Sequence, residues 1–432
     1  NQYIIQIHHE FGIELISTAD SHYYNADVWK DRELYKRLGW LGRSKPDYMS
    51  EDLPSSIEEV GYELYPKNGD QMWESYNRYT KGADIDYDDK LVLESITRTH
   101  QIAHERIESF LPDNTVRLPG FVIPADSTAY QTLHALCVQG LRARGLHTSR
   151  KSGWDYVSRM RHEVEVIEER GFSKYFLTMK AIADMAIGRQ LVGAGRGSAA
   201  GSLVAYLLGI TQIDPIKYGL QFERFLTKGG TGYPDIDYDV SDPMALKEEM
   251  IEAWGDNSVV PITNWNTLQL RSLIKDISKF YGVEFSEVND VTSKMAYEAT
   301  PLAKAKRGIT AGVYAPTFEE MMEFSESLQK FLVKYPQIKT HVEKLYGQTR
   351  SASRHAGGVV VGEDLDKWMP LINSGGVRQT PWSEGMNVRH LEPMGFIKFD
   401  ILGLASLRML EGAIGRILRR HKGVENPTFE DI

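Results

Sequence analysis

The amino-acid sequence predicts an α/β (α+β) protein: a mixed sheet packed by amphipathic helices, with a second helical lobe. Two patterns carry this expectation. Short segments with period-two alternation stand at 235–240 and 397–402, and an apolar run follows a glycine pair at 355–361. Around them lie longer stretches with helical apolar spacing, at 88–111, 126–147, 154–170 and 174–188. A chain of 432 residues and 49.0 kDa exceeds a single typical domain, so more than one compact unit is expected.

From the start, residues 3–16 (YIIQIHHEFGIELI) suggest a helix running into a short apolar strand, which ends at Thr18-Ala19-Asp20-Ser21-His22. Tyr- and Trp-rich sequence with several prolines continues to residue 82, and Leu91, Leu93, Ile96, Ile102 and Ile107 then mark a helix across 88–111. A domain boundary is placed near residue 105. In 154–170, Tyr156, Met160, Val164 and Ile167 share one helical face. After the 174–188 helix come a short strand at Gln190-Leu191-Val192, the loop Gly193-Ala194-Gly195-Arg196-Gly197-Ser198, and an apolar helix to Ile210. A turn at Asp214-Pro215, the segment Phe222-Glu223-Arg224-Phe225 and a glycine-rich link at 229–232 lead to the alternating run 233–240. Residues 266–345 read as a charged helical lobe inserted between two halves of one domain, with a basic cluster at Lys304, Lys306 and Arg307. The chain closes with a basic helix through Arg416, Arg419, Arg420 and Lys422; no internal repeat is found.

Composition excludes several classes. No apolar run approaches the roughly 20 residues that a membrane-spanning helix needs, so a soluble protein with no membrane partner is expected. Cys137 is the single cysteine, which rules out an internal disulfide framework and fits a cytoplasmic location. The formal net charge of −9 argues against nucleic-acid binding through overall positive charge, though not against a local basic groove. The sequence opens at Asn1 like the interior of a domain, and it is expected to be a piece of something longer or one subunit of a split protein.

Chemistry-bearing residues concentrate in four places. On a strand, Asp235, Asp237 and Asp239 project from one face. They suit either a solvated edge strand with acids as gatekeepers or a site for hard divalent cations. Two cations about 4 Å apart can activate a hydroxyl and neutralise a leaving pyrophosphate. Asp400 is the candidate further ligand, since Lys398 and Asp400 interrupt an apolar strand on the same face; a buried ion pair is the alternative. The Gly-Arg-Gly-Ser loop offers backbone N–H groups and the Ser198 hydroxyl to an anion, or else makes a tight turn that Ser198 caps. It is not a Walker A loop. Asp20 and His22 could ligate a transition metal or be a turn acid beside a packed histidine. His355 is given no catalytic role.

Several ordered segments resemble the bacterial C-family replicative DNA polymerases, the polymerase III alpha subunits. They are 192–206 (VGAGRGSAAGSLVAY), Phe222-Glu223-Arg224-Phe225-Leu226, Pro234-Asp235-Ile236-Asp237-Tyr238-Asp239, His355-Ala356-Gly357-Gly358-Val359-Val360, and Ile397 to Leu404. Residues 163–177 resemble the helix leading into the family's palm, and Thr18-Ala19-Asp20-Ser21-His22 resembles a metal-ligand motif of its PHP domain. The resemblance implies a palm with a fold like polymerase β, a helical thumb inserted in it and the C-terminal remnant of a PHP domain. It divides the chain into end of PHP (1–105), palm (106–265 and 346–410), thumb (266–345) and start of the fingers (411–432). It implies a DNA-directed DNA polymerase joining a dNTP to a primer 3′-hydroxyl on primer–template DNA. Asp235, Asp237 and Asp400 would hold two Mg²⁺, while Asp239 is not an assigned ligand. Gly197 and Ser198 would meet the triphosphate and Lys398 the primer terminus or a phosphate. Arg196, Arg224 and Arg350 would be further phosphate-side residues, and Lys304, Lys306 and Arg307 would contact the DNA backbone. Asp20 and His22 would ligate Zn²⁺ or Mn²⁺. A second polypeptide carrying the fingers, a sliding clamp and an exonuclease are the implied partners. A replisome scaffold that kept the fold, and a PHP-type phosphoesterase or 3′–5′ exonuclease completed by another chain, are the alternatives.

Overall fold

The computed structural model describes all residues except 1, 42, 45–48, 81–86, 110–112, 121–122, 148–149, 152–153, 231, 386–387 and 426–432. The expected 88–111 helix, the 229–232 link and the closing segment thus each include positions outside the described residues. The chain divides into two compact units, one of 1–111 with 267–350 and the other of 112–266 with 351–432.

The second unit is built on a four-stranded sheet of β1 (Asp237–Val240), β2 (Val259–Thr267), β3 (Thr349–Val361) and β4 (Lys398–Gly403). The spatial order is β1-β4-β3-β2. β1 runs parallel to β4 and β3 antiparallel to it, so the sheet is mixed. A parallel neighbour requires a crossover, and the whole stretch between residues 240 and 398 supplies it. Ile236, Tyr238, Val240, Phe399 and Ile401 are buried in one large core with the helices Tyr156–Glu169 and Ser173–Ala186. On those helices Tyr156, Met160, Val164 and Ile167 are buried, as their spacing predicts. Alternation therefore sends the odd-numbered β1 carboxylates to the opposite face. A smaller cluster of Val260, Ile262, Val360, Leu365, Met369, Leu391 and Phe396 forms a separate core around β2 and β3.

Several expectations change in detail. Asp235 lies in the segment just before β1, which begins at Asp237. Gln190-Leu191-Val192 forms no strand of its own but a single antiparallel bridge, Val192 to Val240, on the free edge of β1. The expected apolar helix to Ile210 is a 3₁₀ turn, Ser198–Gly201, followed by a one-turn helix, Leu203–Leu207. The two pieces are separated at Ser202, whose backbone is extended, and glycine at 201 lets the chain approach the Phe222–Arg224 turn closely: a Cβ there would sit 2.6 Å from the Gln221 carbonyl oxygen.

In the first unit, helices Leu270–Phe280, Phe285–Lys306, Phe318–Phe324, Glu326–Lys334 and Pro336–Leu345 pack around Leu273, Ile277, Met295, Leu328 and Val342. Leu34, from the helix Trp29–Leu38, is fully buried in the same core. Residues 2–11 are helical, but among the described residues the apolar strand expected after them does not form. Among the described residues, no helix is long and apolar enough to cross a membrane.

Candidate metal centre and phosphate loop

The register of β1 on β4 creates the site. Asp237 is the direct neighbour of Asp400 across the parallel pair, so both side chains leave the sheet on one face at one level. Asp235 joins them from the preceding loop. Each of the three offers a carboxylate oxygen, and these oxygens lie within 4.8 Å of one another. Tyr175, buried on the helix behind the sheet, stacks on Phe399 at 5.0 Å and accepts a hydrogen bond from the Ile236 N–H at 3.2 Å. That contact fixes the backbone between the first two carboxylates.

Three carboxylates this close repel one another, and their surroundings show it. Burial pushes Asp235 above its ordinary value; Lys398 opposes the rise, and the charges of Asp400 and Asp237 add to it. Asp237 is likewise raised by burial, held back by Arg196 and pushed further by Asp400 and Asp239. Two cationic side chains compensate. Lys398 Nζ stands 2.7 Å from Asp400 Oδ2, and the Arg196 guanidinium spans Asp237 Oδ1 at 3.2 Å and Asp239 Oδ2 at 3.1 Å. For Lys398, burial works against the ammonium, but the hydrogen bond and charge of Asp400 outweigh it and hold its pKa up.

The donor set fits a divalent ion. Asp400 Oδ1 is buried without a hydrogen-bond partner, a costly arrangement for a carboxylate oxygen unless a cation meets it. Hard oxygen ligands from three carboxylates suit Mg²⁺.

The glycine loop is stapled beside this cluster. Gly193 N–H donates to the Asp239 carbonyl at 2.8 Å, and a Cβ on Gly193 would lie 2.9 Å from that of Asp239. Gly197 has φ 66°, a conformation that favours glycine, and its position faces Asp237 Oδ2. Arg196, Gly197 and Ser198 are exposed. Ser202, not Ser198, caps the short helix, accepting from the Ala205 N–H at 3.1 Å. Behind it sits Glu163, fully buried. Its carboxylate accepts from the Leu203 and Val204 N–H groups and the Ser202 hydroxyl, and it pairs with Arg159 at 2.6 Å. Burial pushes Glu163 upward while Arg159 and the backbone donors oppose it; since every partner donates, the ionised carboxylate is the form this pocket satisfies.

The remaining candidates stand elsewhere. Arg224 is exposed on its 3₁₀ turn in the second unit. Arg350 belongs to the first unit, where it lines a 340 Å³ cavity with His22, Arg32 and Tyr35. His22 Nε2 is 3.1 Å from Asp20 Oδ1, both side chains largely exposed. Among the described residues they belong to no group of three or more potential metal ligands. Lys306 pairs with Glu323 at 2.6 Å, Arg307 with Glu320 at 2.5 Å, and Lys304 donates to the Gly312 carbonyl. At the end of the helix Phe285–Lys306 these cations also complement its dipole. Sequence reasoning missed Glu163 and Tyr175 as supports of the site. A glutamate inside the apolar face of 156–167 was the available signal for the first.

A mixed sheet that gathers three carboxylates beside a glycine loop defines an α/β protein with a candidate metal centre. The family described as bacterial DNA polymerase III alpha NTPase domain matches residues 131–403, which contain the whole site. The chain is 31% identical to the DNA polymerase III subunit alpha of Bacillus subtilis over 96% of its own length and 34% of that protein. It is 29% identical to that of Aquifex aeolicus, over 98% of its length and 36% of the relative, and 35% identical to that of Thermus aquaticus over 61% and 21%. The chain belongs to the bacterial DNA polymerase III alpha family, and it spans about a third of the length of the first two of these relatives.

Proposed function

We propose that this chain is the palm-bearing part of a DNA-directed DNA polymerase, extending a primer 3′-hydroxyl with dNTPs on a DNA template. The observation that carries this reading is the convergence of Asp235, Asp237 and Asp400, with a partnerless buried oxygen on Asp400. Together they would hold two Mg²⁺. When bound, such ions lower the pKa of the attacking hydroxyl and stabilise charge on the leaving pyrophosphate. The chain's own residues do the rest. Gly197 and Ser198 present an N–H and a hydroxyl to the triphosphate, and Arg196 would move from Asp237 and Asp239 to phosphate oxygens. Lys398, held by Asp400, faces the primer side.

On the family division, 1–105 is the end of a PHP domain, 106–265 and 346–410 the palm, 266–345 the thumb and 411–432 the start of the fingers. Arg224 and Arg350 are proposed phosphate contacts, Lys304, Lys306 and Arg307 backbone contacts that would exchange their acidic partners for phosphate. Asp20 and His22 remain proposed ligands of a Zn²⁺ or Mn²⁺ that other residues would complete. A cytoplasmic location, fingers on a further chain or segment, and a sliding clamp and exonuclease as partners complete the proposal.

The test is Mg²⁺-dependent extension of a short primed template by the chain alone and with the fingers region supplied in trans. Extension that Asp237→Ala abolishes supports the proposal; no extension under either condition favours a scaffold that kept the fold.

A further inference from the structure

His355 sits on the carboxylate face with one nitrogen already committed. Its Nδ1 accepts hydrogen bonds from the Gly357 N–H at 3.3 Å and the Gly358 N–H at 2.7 Å. With Nδ1 an acceptor, the neutral ring carries its proton on Nε2. Gly358 is the direct cross-strand neighbour of Asp400, and a Cβ there would lie 2.9 Å from His355 Nδ1 and 3.3 Å from Lys398 Cδ. Side chains of directly paired residues share a face, so the ring lies over Gly358 on the face that carries Asp400 and Lys398. Nδ1 is turned to the strand, and Nε2–H, on the far side of the ring, is turned away from it. Among the described residues no hydrogen bond occupies that N–H, although the ring is half-buried. Glycine at 358 is what leaves room for this fold-back, since a side chain there would meet the ring nitrogen.

The sheet order tells which part of a substrate this donor meets. β1 and the glycine loop flank β4 on one side, and β3 with His355 flanks it on the other. A triphosphate held at Gly197 and Ser198 therefore lies across Asp400 from His355, which leaves His355 beside Lys398 on the side of the primer. We propose that His355 Nε2–H donates to the primer's terminal phosphodiester, so that with Lys398 it fixes the strand whose 3′-hydroxyl reacts. This rests on the polymerase reading and adds a primer-binding residue to it. No bond is made or broken at His355; it holds a phosphate oxygen.

The experiment measures the affinity of the full chain for a primer–template in Mg²⁺ by fluorescence anisotropy. Two primers are compared, one with a natural terminal phosphodiester and one with a neutral methylphosphonate at that linkage. His355→Asn keeps an acceptor near the Nδ1 position but removes the distal donor; His355→Gln keeps a donor near Nε2. The wild-type preference for the charged linkage should shrink by about tenfold in His355→Asn, on the scale of one hydrogen bond to a charged group. His355→Gln should keep the larger part of that preference. An unchanged preference in His355→Asn would overturn the inference while leaving the polymerase reading in place, provided Asp237→Ala still loses its Mg²⁺-dependent binding. A wild-type chain with no Mg²⁺-dependent binding of either primer, alone or with the fingers region supplied in trans, would remove the polymerase reading and this inference together.

Discussion

At the scale of single residues, the carboxylate cluster is destabilising by itself. Asp235 and Asp237 have folded-state pKa values raised above those of free carboxyls, by burial first and then by neighbouring acids. The folded chain thus holds protons that the unfolded chain releases, so their contribution favours folding at low pH. It is lost as pH rises from the ordinary carboxylate range, near 4, through the raised values. A divalent ion reverses the effect because it binds the deprotonated cluster. Melting curves at pH 5 and pH 8 should show Mg²⁺ stabilising the second unit more at pH 8. Asp237→Asn should remove most of that metal response while raising the metal-free melting temperature, by about 2–4 °C if the relieved repulsion is near 1 kcal/mol. Loss of the Arg196 contact would offset little, since that guanidinium is largely exposed. An undiminished Mg²⁺ response in this variant would place the ion somewhere other than Asp237.

At the scale of elements, the loop and the strand are each held by one buried polar group. Glu163 ties the helix Tyr156–Glu169 to the first N–H groups of Leu203–Leu207, and Arg159 from the same helix reaches the Gly201 carbonyl at 3.1 Å. Breaking this buried pair by Glu163→Ala should cost about 3 kcal/mol, as when one partner of a buried ion pair is removed. Urea unfolding followed by tryptophan fluorescence reads that cost. Tyr175→Phe removes only the acceptor for Ile236 N–H and should cost about 1 kcal/mol; its larger effect is expected on Mg²⁺ affinity, measured by calorimetry, because the Asp235–Asp237 backbone loses its anchor. Of these elements, the amphipathic helices, the alternation at 235–240 and the Lys398–Asp400 strand were legible in the sequence, because periodicity fixes which side chains share a face. The site residues came from the resemblance together with that alternation. The break of the 198–210 helix was not legible, because the chain there is packed against the distant Gln221 and Glu163 rather than set by local spacing. Glu163 and Tyr175 escaped for the same reason: their partners are about 40 to 60 residues away.

At the scale of the whole molecule, each unit has its own core, and the first one joins segments that sequence reading kept apart. Leu34 packs among residues of 268–345, and beside it a polar chain crosses the same distance. His341 Nδ1 meets Asp31 Oδ1 at 2.6 Å, and His341 Nε2 meets the Tyr281 hydroxyl at 2.8 Å, with Asp31 and His341 both buried. Nothing in local composition signals a contact spanning more than 300 positions. Asp31→Ala would leave the His341 Nδ1 atom buried and unpaired, a loss of about 1–3 kcal/mol. For a unit of this size the melting temperature should drop by about 5 °C. Because the metal centre lies wholly in the other unit, the Mg²⁺-dependent shift of its transition should stay as in the wild type. Calorimetry with and without Mg²⁺ separates the outcomes. A lowered first transition with an intact metal response means that the two cores melt independently; loss of both together would mean that the chain unfolds as one cooperative body.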